Sequence, residues 1–191
     1  MSAAPDPVGS WHLTVLGPLR GGRTQLEVER RWVLEGDPSL VHPVLGRCEV
    51  VEITQTYLAK PTGGEPRARV RRIVAADGAV RHVWTAKRRL SSLVRVEREV
   101  EIDEGTYHEL RRRAAPRRSV VEKLRWAFTY AGQRFELAHL VSPVALWLLE
   151  VELHELHQPV VLPPFVGRVR EVTDEPGFTN AVLARRHLAS C

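Results

Sequence analysis

The sequence predicts an α+β protein built on an eight-stranded antiparallel β-barrel, with a few helices packed outside it. Three observations lead to this fold class. Short segments rich in Val, Ile, Leu and Trp recur along the chain, separated by turn residues. Two of the connections, Asp77-Gly78 and Ala131-Gly132, are short enough for hairpins between antiparallel strands. Closing such a sheet into a barrel removes its unpaired edges, which would otherwise pair with other chains.

The elements follow from local signals taken in chain order. Pro61 and Gly63 end the second strand, and Asp77-Gly78 joins the third strand to the fourth. Asp103 stands where the N-cap of a helix belongs. We expect strands at residues 25–34, 48–58, 67–76, 79–88, 93–102, 117–130, 133–140 and 145–153, helices at 104–115 and 178–188, and a brief helical turn at 40–45.

Length and composition indicate one globular domain. A chain of 191 residues with 43% hydrophobic content can bury a core of its own. Pro and Gly are frequent near the start, so we expect a flexible N-terminal extension over residues 1–23, with a short strand at 11–16. The domain is expected over residues 24–191.

The absence of targeting signals favours a cytoplasmic location. No apolar run reaches the roughly 18 residues that a membrane helix needs, and the first residues lack the features of a secretory signal. Cys48 and Cys191 lie far apart, which predicts neither a disulfide framework nor a zinc site and fits a reducing compartment.

The positive charge favours an anionic partner. The chain carries 28 Lys and Arg against 23 Asp and Glu, a formal net charge of +5. Nucleic acid is disfavoured because no helix-turn-helix spacing, zinc-finger spacing or aromatic-rich basic strand occurs. The basic run Arg111-Arg112-Arg113 with Arg117-Arg118 is expected to be a solvated surface near a helix end. A small polyanion such as a polyphosphate or a nucleotide remains as the partner class.

Charged residues of both signs share one face of most predicted strands. Side chains alternate between the two faces of a strand, so Glu27, Glu29 and Arg31 point the same way. One interpretation is a solvated face laced with ion pairs, and the other is the inside of a barrel. The same alternation groups further charged residues on five other strands: Arg69 and Arg71; Lys87; Arg95, Glu97 and Glu99; Lys123 and Arg125; Glu150 and Glu152.

Inside a barrel these charges would have a definite chemistry. An eight-stranded barrel has room for side chains or one small ligand, and enclosed charges are costly unless they are paired or hold ions. Clustered carboxylates suit Mg²⁺ or Mn²⁺, and arginine and lysine suit phosphate oxygens. Together they describe a site for a metal-bound polyphosphate.

The ordered motifs resemble the CYTH domain of the triphosphate tunnel metalloenzymes, a family named for class IV adenylyl cyclase and thiamine triphosphatase. Each motif alone is weak, but the series runs in family order from residue 27 to residue 184. It comprises Glu27-Val28-Glu29-Arg30-Arg31, Gln55-Thr56-Tyr57-Leu58, Arg69-Val70-Arg71, Thr85-Ala86-Lys87, Arg95-Val96-Glu97-Arg98-Glu99, Lys123-Leu124-Arg125, Leu149-Glu150-Val151-Glu152-Leu153, Glu171-Val172-Thr173, and Phe178-Thr179-Asn180 with Leu183-Ala184.

The resemblance implies a tunnel that binds a triphosphate-containing small molecule and uses Mg²⁺ or Mn²⁺. Oligomeric state stays open, with a homodimer as one option. Carried over residue by residue, the catalytic candidates are Arg31, Glu29 and Tyr57; the substrate-binding candidates are Arg69, Arg71, Lys87, Arg95, Lys123 and Arg125; and the metal candidates are Glu27, Glu29, Glu97, Glu99, Glu150 and Glu152.

Two departures from the family pattern leave the activity open. The lysine that ends the first family motif is Arg31 here, and arginine effectively cannot release a proton. In Phe135-Glu136-Leu137-Ala138, alanine replaces a family acid. The expected function is metal-dependent hydrolysis of inorganic tripolyphosphate or an organic triphosphate. A binding protein with reduced or no turnover, and an adenylyl cyclase, are the alternatives.

Overall fold

A computed structural model describes residues 22–39, 44–45, 48–59, 67–90, 94–155 and 157–186. It confirms the predicted fold, a closed eight-stranded antiparallel β-barrel. The predicted strand at 11–16 and most of the predicted turn at 40–45 lie outside these residues. The strands are β1 (Arg23–Leu34), β2 (Glu49–Tyr57), β3 (Arg67–Ala75), β4 (Val80–Arg89), β5 (Val94–Ile102), β6 (Val121–Tyr130), β7 (Gln133–Ser142), β8 (Leu146–Leu153) and a short β9 (Val169–Glu171).

The barrel closes through its first strand. The strands follow one another in the order β5-β4-β3-β2-β6-β7-β8-β1, and β1 returns to pair with β5. β1 is 12 residues long, which allows it to pair with three different strands. Its first half pairs with β5, its second half with β8, and its last residues with β9, the strand that extends the barrel wall.

Two of the apolar cores lie outside the barrel, as the alternating pattern predicts, whereas a cluster around the C-terminal end of the chain and a cluster of Val51, Ile53, Ile73 and Val83 lie on its inward face. On β1, β6, β7 and β8 the outward residues Trp32, Phe128, Phe135 and Leu149 pack beneath Phe165, in a short 3-10 helix at Pro164–Val166. On β3, β4 and β5 the outward face is covered by helix α1 (Glu104–Arg111) through its buried Tyr107 and Leu110. These two outer cores leave the opposite face of their strands to the barrel interior.

The first helix begins where the sequence predicts and ends earlier. Asp103 is its N-cap, and its Oδ1 accepts a hydrogen bond from the Thr106 backbone N–H at 2.9 Å. The prediction of a helix as far as residue 115 was wrong. The chain leaves the helix because its backbone pairs with the end of β2, the Ala115 N–H donating to the Tyr57 carbonyl at 2.8 Å.

Helix α2 (Asn180–Arg186) lies at one end of the barrel interior. Leu183 and Ala184 are fully buried against inward residues of β2 and β7, Tyr57 and Leu140 among them. β6 begins at Val121, not at 117 as predicted, because the preceding Ser119 N–H donates to the Ala184 carbonyl at 2.8 Å. Residues 187–188 of the predicted closing helix lie outside the described chain. Neither described helix is long and apolar enough to cross a membrane.

Candidate functional site

The charged candidate residues face the barrel interior. Arg71 on β3 approaches Glu99 on β5, with Nη2 and Oε2 2.8 Å apart, although β4 lies between those strands. Lys87 on β4 likewise reaches Glu27 on β1 at 2.7 Å. Side chains of non-neighbouring strands meet in this way only on the concave side of a barrel. The interior interpretation of the sequence pattern is therefore the correct one.

The interior has two walls of different character. We call the inward residues of β5, β1, β8 and β7 the carboxylate wall, and those of β6, β2, β3 and β4 the basic wall. Arg31 and Arg95 are the two predicted basic residues that lie within the carboxylate wall. The carboxylate wall contains Glu97, Glu99, Glu27, Glu29, Glu150, Glu152 and Glu136, and the basic wall contains Lys123, Arg125, Gln55, Tyr57, Arg69, Arg71, Thr85 and Lys87.

The basic wall holds buried N–H donors that lack acceptors. Within the described part of the chain, the Nε of Arg69, Arg71 and Arg125 and the Nε2 of Gln55 make no hydrogen bond. A buried donor without an acceptor costs free energy, and these four come from the adjacent strands β3, β2 and β6. A single acceptor-rich anion, such as a phosphate group, could accept hydrogen bonds from all four donors.

Burial leaves the positive charge of this wall incompletely compensated. Burial lowers the pKa of Lys123 to about 8, against the opposing effect of Glu150 and Glu136. Burial and the neighbouring Arg69 also lower the pKa of Arg71, although Glu99 opposes this. A bound anion would favour the charged form of both side chains.

An ion-pair network joins the walls at β4 and β5. The Lys87 ammonium lies 2.7 Å from Glu27 and 3.3 Å from Glu97. Burial, with the nearby Glu97 and Glu29, raises the pKa of Glu27 to about 7 against the opposing Lys87. Burial would raise the pKa of Glu97 as well, but Lys87 and Arg69 hold it at about 2. The two carboxylates therefore titrate as a pair, with the proton held on the Glu27 side.

Arg31 forms ion pairs with Glu29 and Glu150 of the carboxylate wall. Its Nε donates to Glu150 at 2.5 Å and its Nη2 donates to Glu29. Its Nη1 lies 3.4 Å from the Phe178 carbonyl, just before α2. Burial opposes the charge, but Glu150 and Glu29 raise the pKa of Arg31 above its ordinary value. Arg31 is therefore a fixed cation, unable to act as a base.

The carboxylate wall has the donor chemistry of a site for a hard divalent cation. Glu29 stands directly opposite Glu152, and Glu136 directly opposite Glu150. Burial and the charge of Glu136 raise the pKa of Glu152, as expected where carboxylates lack enough cationic partners. These oxygen donors fit Mg²⁺ or Mn²⁺. Among the described residues, however, no three acidic, His or Cys side chains converge as a preformed metal cage.

Three inward residues appear in the sequence motifs but were not predicted as site residues. Glu136 forms an ion pair with Arg125 at 3.0 Å, Thr85 accepts from Arg71 at 2.9 Å, and Gln55 is almost completely buried. Alternation along their strands could have identified all three, since each is in step with a predicted site residue. Ala138, which replaces a family acid, is buried in the apolar cluster around α2, together with Tyr57.

The fold and part of the sequence match solved structures. The crystal structure of the inorganic triphosphatase NE1496 is 29% identical, with a TM-score of 0.53, and the match covers 83% of this chain and 97% of that one. A second crystal structure of NE1496, described as a hypothetical protein, gives 28% identity and a TM-score of 0.51 over the same shares. PH1819 from Pyrococcus horikoshii OT3 shares the fold at 21% identity and a TM-score of 0.51, over 68% of this chain and 78% of that one.

These structures confirm the predicted resemblance to CYTH domains. No protein-family model matches the chain, and no curated protein matches it.

Proposed function

We propose that this chain, which has the CYTH-type tunnel fold, is a divalent-metal-dependent triphosphatase, with inorganic tripolyphosphate as its foremost substrate. The observation that carries the proposal is the set of buried donors without acceptors on the basic wall, the Nε of Arg69, Arg71 and Arg125 and the Nε2 of Gln55. Tripolyphosphate offers many strong acceptors along a short chain, as this arrangement requires.

In the proposed complex the substrate lies between the two walls. Arg69, Arg71 and Arg125 hold phosphate oxygens, and Lys123 and Lys87 add charge at either side. Phosphoryl transfer needs such positioned cations because the transition state spreads negative charge over the phosphate oxygens. Water attacks the terminal phosphorus, the bond to the bridging oxygen breaks, and the products are phosphate and pyrophosphate.

The carboxylate wall provides the metal side of the proposal. Glu29 and Glu152, which stand opposite each other, would hold Mg²⁺ or Mn²⁺ together with Glu27. The ion supplies charge neutralisation and Lewis acidity when bound. Glu29 is held by Arg31 and lies 3.6 Å from Arg95, and this fixed carboxylate orients the attacking water. Glu97, Glu99 and Glu150 balance the basic residues that they face.

The choice of an inorganic substrate rests on two further observations. Tyr57 is the one inward aromatic ring among the described strand residues, and it is buried against α2. A nucleobase or thiamine ring is commonly recognised by stacking on aromatic side chains, and the other aromatic side chains of the described strands lie on the outer face. In addition, NE1496, at 29% identity, is described as an inorganic triphosphatase.

A substrate panel tests the proposal. Purified protein is incubated with tripolyphosphate, ATP or thiamine triphosphate, each with Mg²⁺, with Mn²⁺ and with excess EDTA, and the products are separated by chromatography. We expect phosphate and pyrophosphate from tripolyphosphate with either metal and none with EDTA. Absence of phosphate release from all three substrates refutes the hydrolase proposal, and cyclic AMP from ATP would identify a cyclase instead.

A second candidate function is triphosphate binding with little or no turnover. The observation that favours it is Arg31, which Glu29 and Glu150 hold in its charged form where the family has a lysine. Calorimetry would then show tripolyphosphate binding without product formation. If the lysine is what turnover lacks, Arg31→Lys would release phosphate where the unaltered chain does not.

A further inference from the structure

We propose that Arg118 is a positioning residue that fastens α2 to Tyr57 and so holds one end of the triphosphate site in place. This inference rests on the proposed function, because Tyr57 borders the proposed phosphate site. Arg118 belongs to the basic run that the sequence predicts to be a solvated surface, and the structure places it elsewhere. Its side chain turns towards the barrel end and is partly buried.

Two contacts of the Arg118 guanidinium carry the inference. Its central carbon lies over the ring of Tyr57, 5.0 Å from the ring centroid, in a cation–π arrangement. Its Nη1 donates a hydrogen bond to the Ala181 carbonyl in the first turn of α2. One planar group therefore contacts the inward-facing end of β2 and the helix that covers it. Lysine offers the charge but not a planar fork of donors.

The backbone beside Arg118 strengthens the same link. The Ser119 N–H donates to the Ala184 carbonyl at 2.8 Å, one turn further along α2. Ala115, which accepts from the Arg118 N–H at 3.1 Å, itself donates to the Tyr57 carbonyl. The segment 115–119 thus connects the Tyr57 backbone, the Tyr57 ring and α2.

Tyr57 lies between the segment 115–119 and the charged interior, so its position connects Arg118 to the proposed site. Tyr57 is directly opposite Arg69 in the sheet, and both residues point into the barrel. Displacement of the Tyr57 ring would disturb the Arg69 guanidinium of the proposed site. The other two phosphate-binding arginines, Arg71 on β3 and Arg125 on β6, would keep their own ion pairs with Glu99 and Glu136.

The test compares Arg118→Ala, Arg118→Lys and Arg117→Ala, the last being a matched control one residue away with an exposed side chain. For each variant we would measure kcat and KM for tripolyphosphate with Mg²⁺, amide hydrogen exchange in α2, and the NMR resonance of the Tyr57 ring in protein labelled at its three tyrosines.

For Arg118→Ala we expect kcat to fall between about 10-fold and 100-fold, the scale for a misplaced group in an active site, with KM within about twofold. Exchange in α2 should quicken and the Tyr57 resonance should shift. Arg118→Lys should recover part of kcat because a cation remains over the ring, and Arg117→Ala should match the unaltered protein.

Two results would overturn the inference. One is an unchanged kcat in Arg118→Ala; the other is a rise in KM that accounts for the whole loss of kcat/KM. If the unaltered protein hydrolyses none of the substrates, the proposed function fails, and the exchange and NMR measurements decide the Arg118 link alone. Unchanged α2 exchange and an unchanged Tyr57 resonance in Arg118→Ala would then refute it.

Discussion

Arg71 and Arg72 allow a direct test of which face of the barrel binds the anion. They are neighbours on β3, but Arg71 points into the interior and is buried, whereas Arg72 points outward and is exposed. Arg71→Gln and Arg72→Gln remove the same charge from the same strand. Only the first removes a buried donor that lacks an acceptor, the Arg71 Nε.

The expected size of the effect follows from that donor. A hydrogen bond to a charged group contributes about 2 kcal/mol, which corresponds to a roughly 30-fold weaker affinity at 25 °C. The free protein should also lose some stability, because Arg71→Gln removes the contacts of the guanidinium with Glu99 at 2.8 Å and with Thr85 at 2.9 Å. Thermal unfolding in the absence of ligand checks this second expectation.

Titration calorimetry with tripolyphosphate and Mg²⁺ measures the affinity of both variants. We expect Arg71→Gln to bind roughly 30-fold more weakly and Arg72→Gln to bind like the unaltered protein. Equal weakening in both variants would mean that only net charge matters. An unchanged affinity in Arg71→Gln would refute the placement of the anion on the basic wall.

Three further predictions concern Lys123, Glu152 and Arg31. Burial holds the pKa of Lys123 near 8 in the free protein, and a bound anion raises that pKa, so tripolyphosphate binding at pH 8 should take up about half a proton. Calorimetry in buffers of different ionisation enthalpy measures this proton uptake. The uptake should vanish in Lys123→Gln. Glu152→Gln should raise the Mg²⁺ concentration for half-maximal activity roughly tenfold, the effect of losing one charged ligand, whereas the exposed, outward control Glu122→Gln should not. Arg31→Lys should lower the unfolding midpoint by about 5 °C, because a lysine cannot bridge two carboxylates as a guanidinium does and the free energy of unfolding falls by about 2 kcal/mol. An unchanged midpoint in a thermal melt would contradict the bridging role of Arg31.

The barrel and its charged interior were predictable because both depend on local alternation. Glu27, Glu29 and Arg31 share a face in any extended strand, and the same holds for each charged pair along the chain. The apolar residues between them, such as Trp32 and Phe135, must then pack outside. The period of two shows which residues share a face, and the family resemblance indicated that the charged face is the inner one.

Other features could not be predicted because they depend on contacts between distant segments. α1 ends early because Ala115 pairs with β2, and β6 begins late because Ser119 pairs with α2. The separation into two walls depends on strand order, in which β2 neighbours β6. Glu136 and Gln55 gain their place in the site from that order as well. Arg118 appears in the sequence as one more basic surface residue.

The central claim is that a triphosphate binds inside the barrel between a basic and a carboxylate wall. A crystal structure with tripolyphosphate and Mn²⁺, with anomalous diffraction to locate the manganese, tests it most directly. We expect phosphate oxygens within hydrogen-bond distance of the Nε of Arg69, Arg71 and Arg125, and manganese beside Glu29 and Glu152. Tripolyphosphate bound on the outer surface, with the interior donors still without acceptors, would contradict the account.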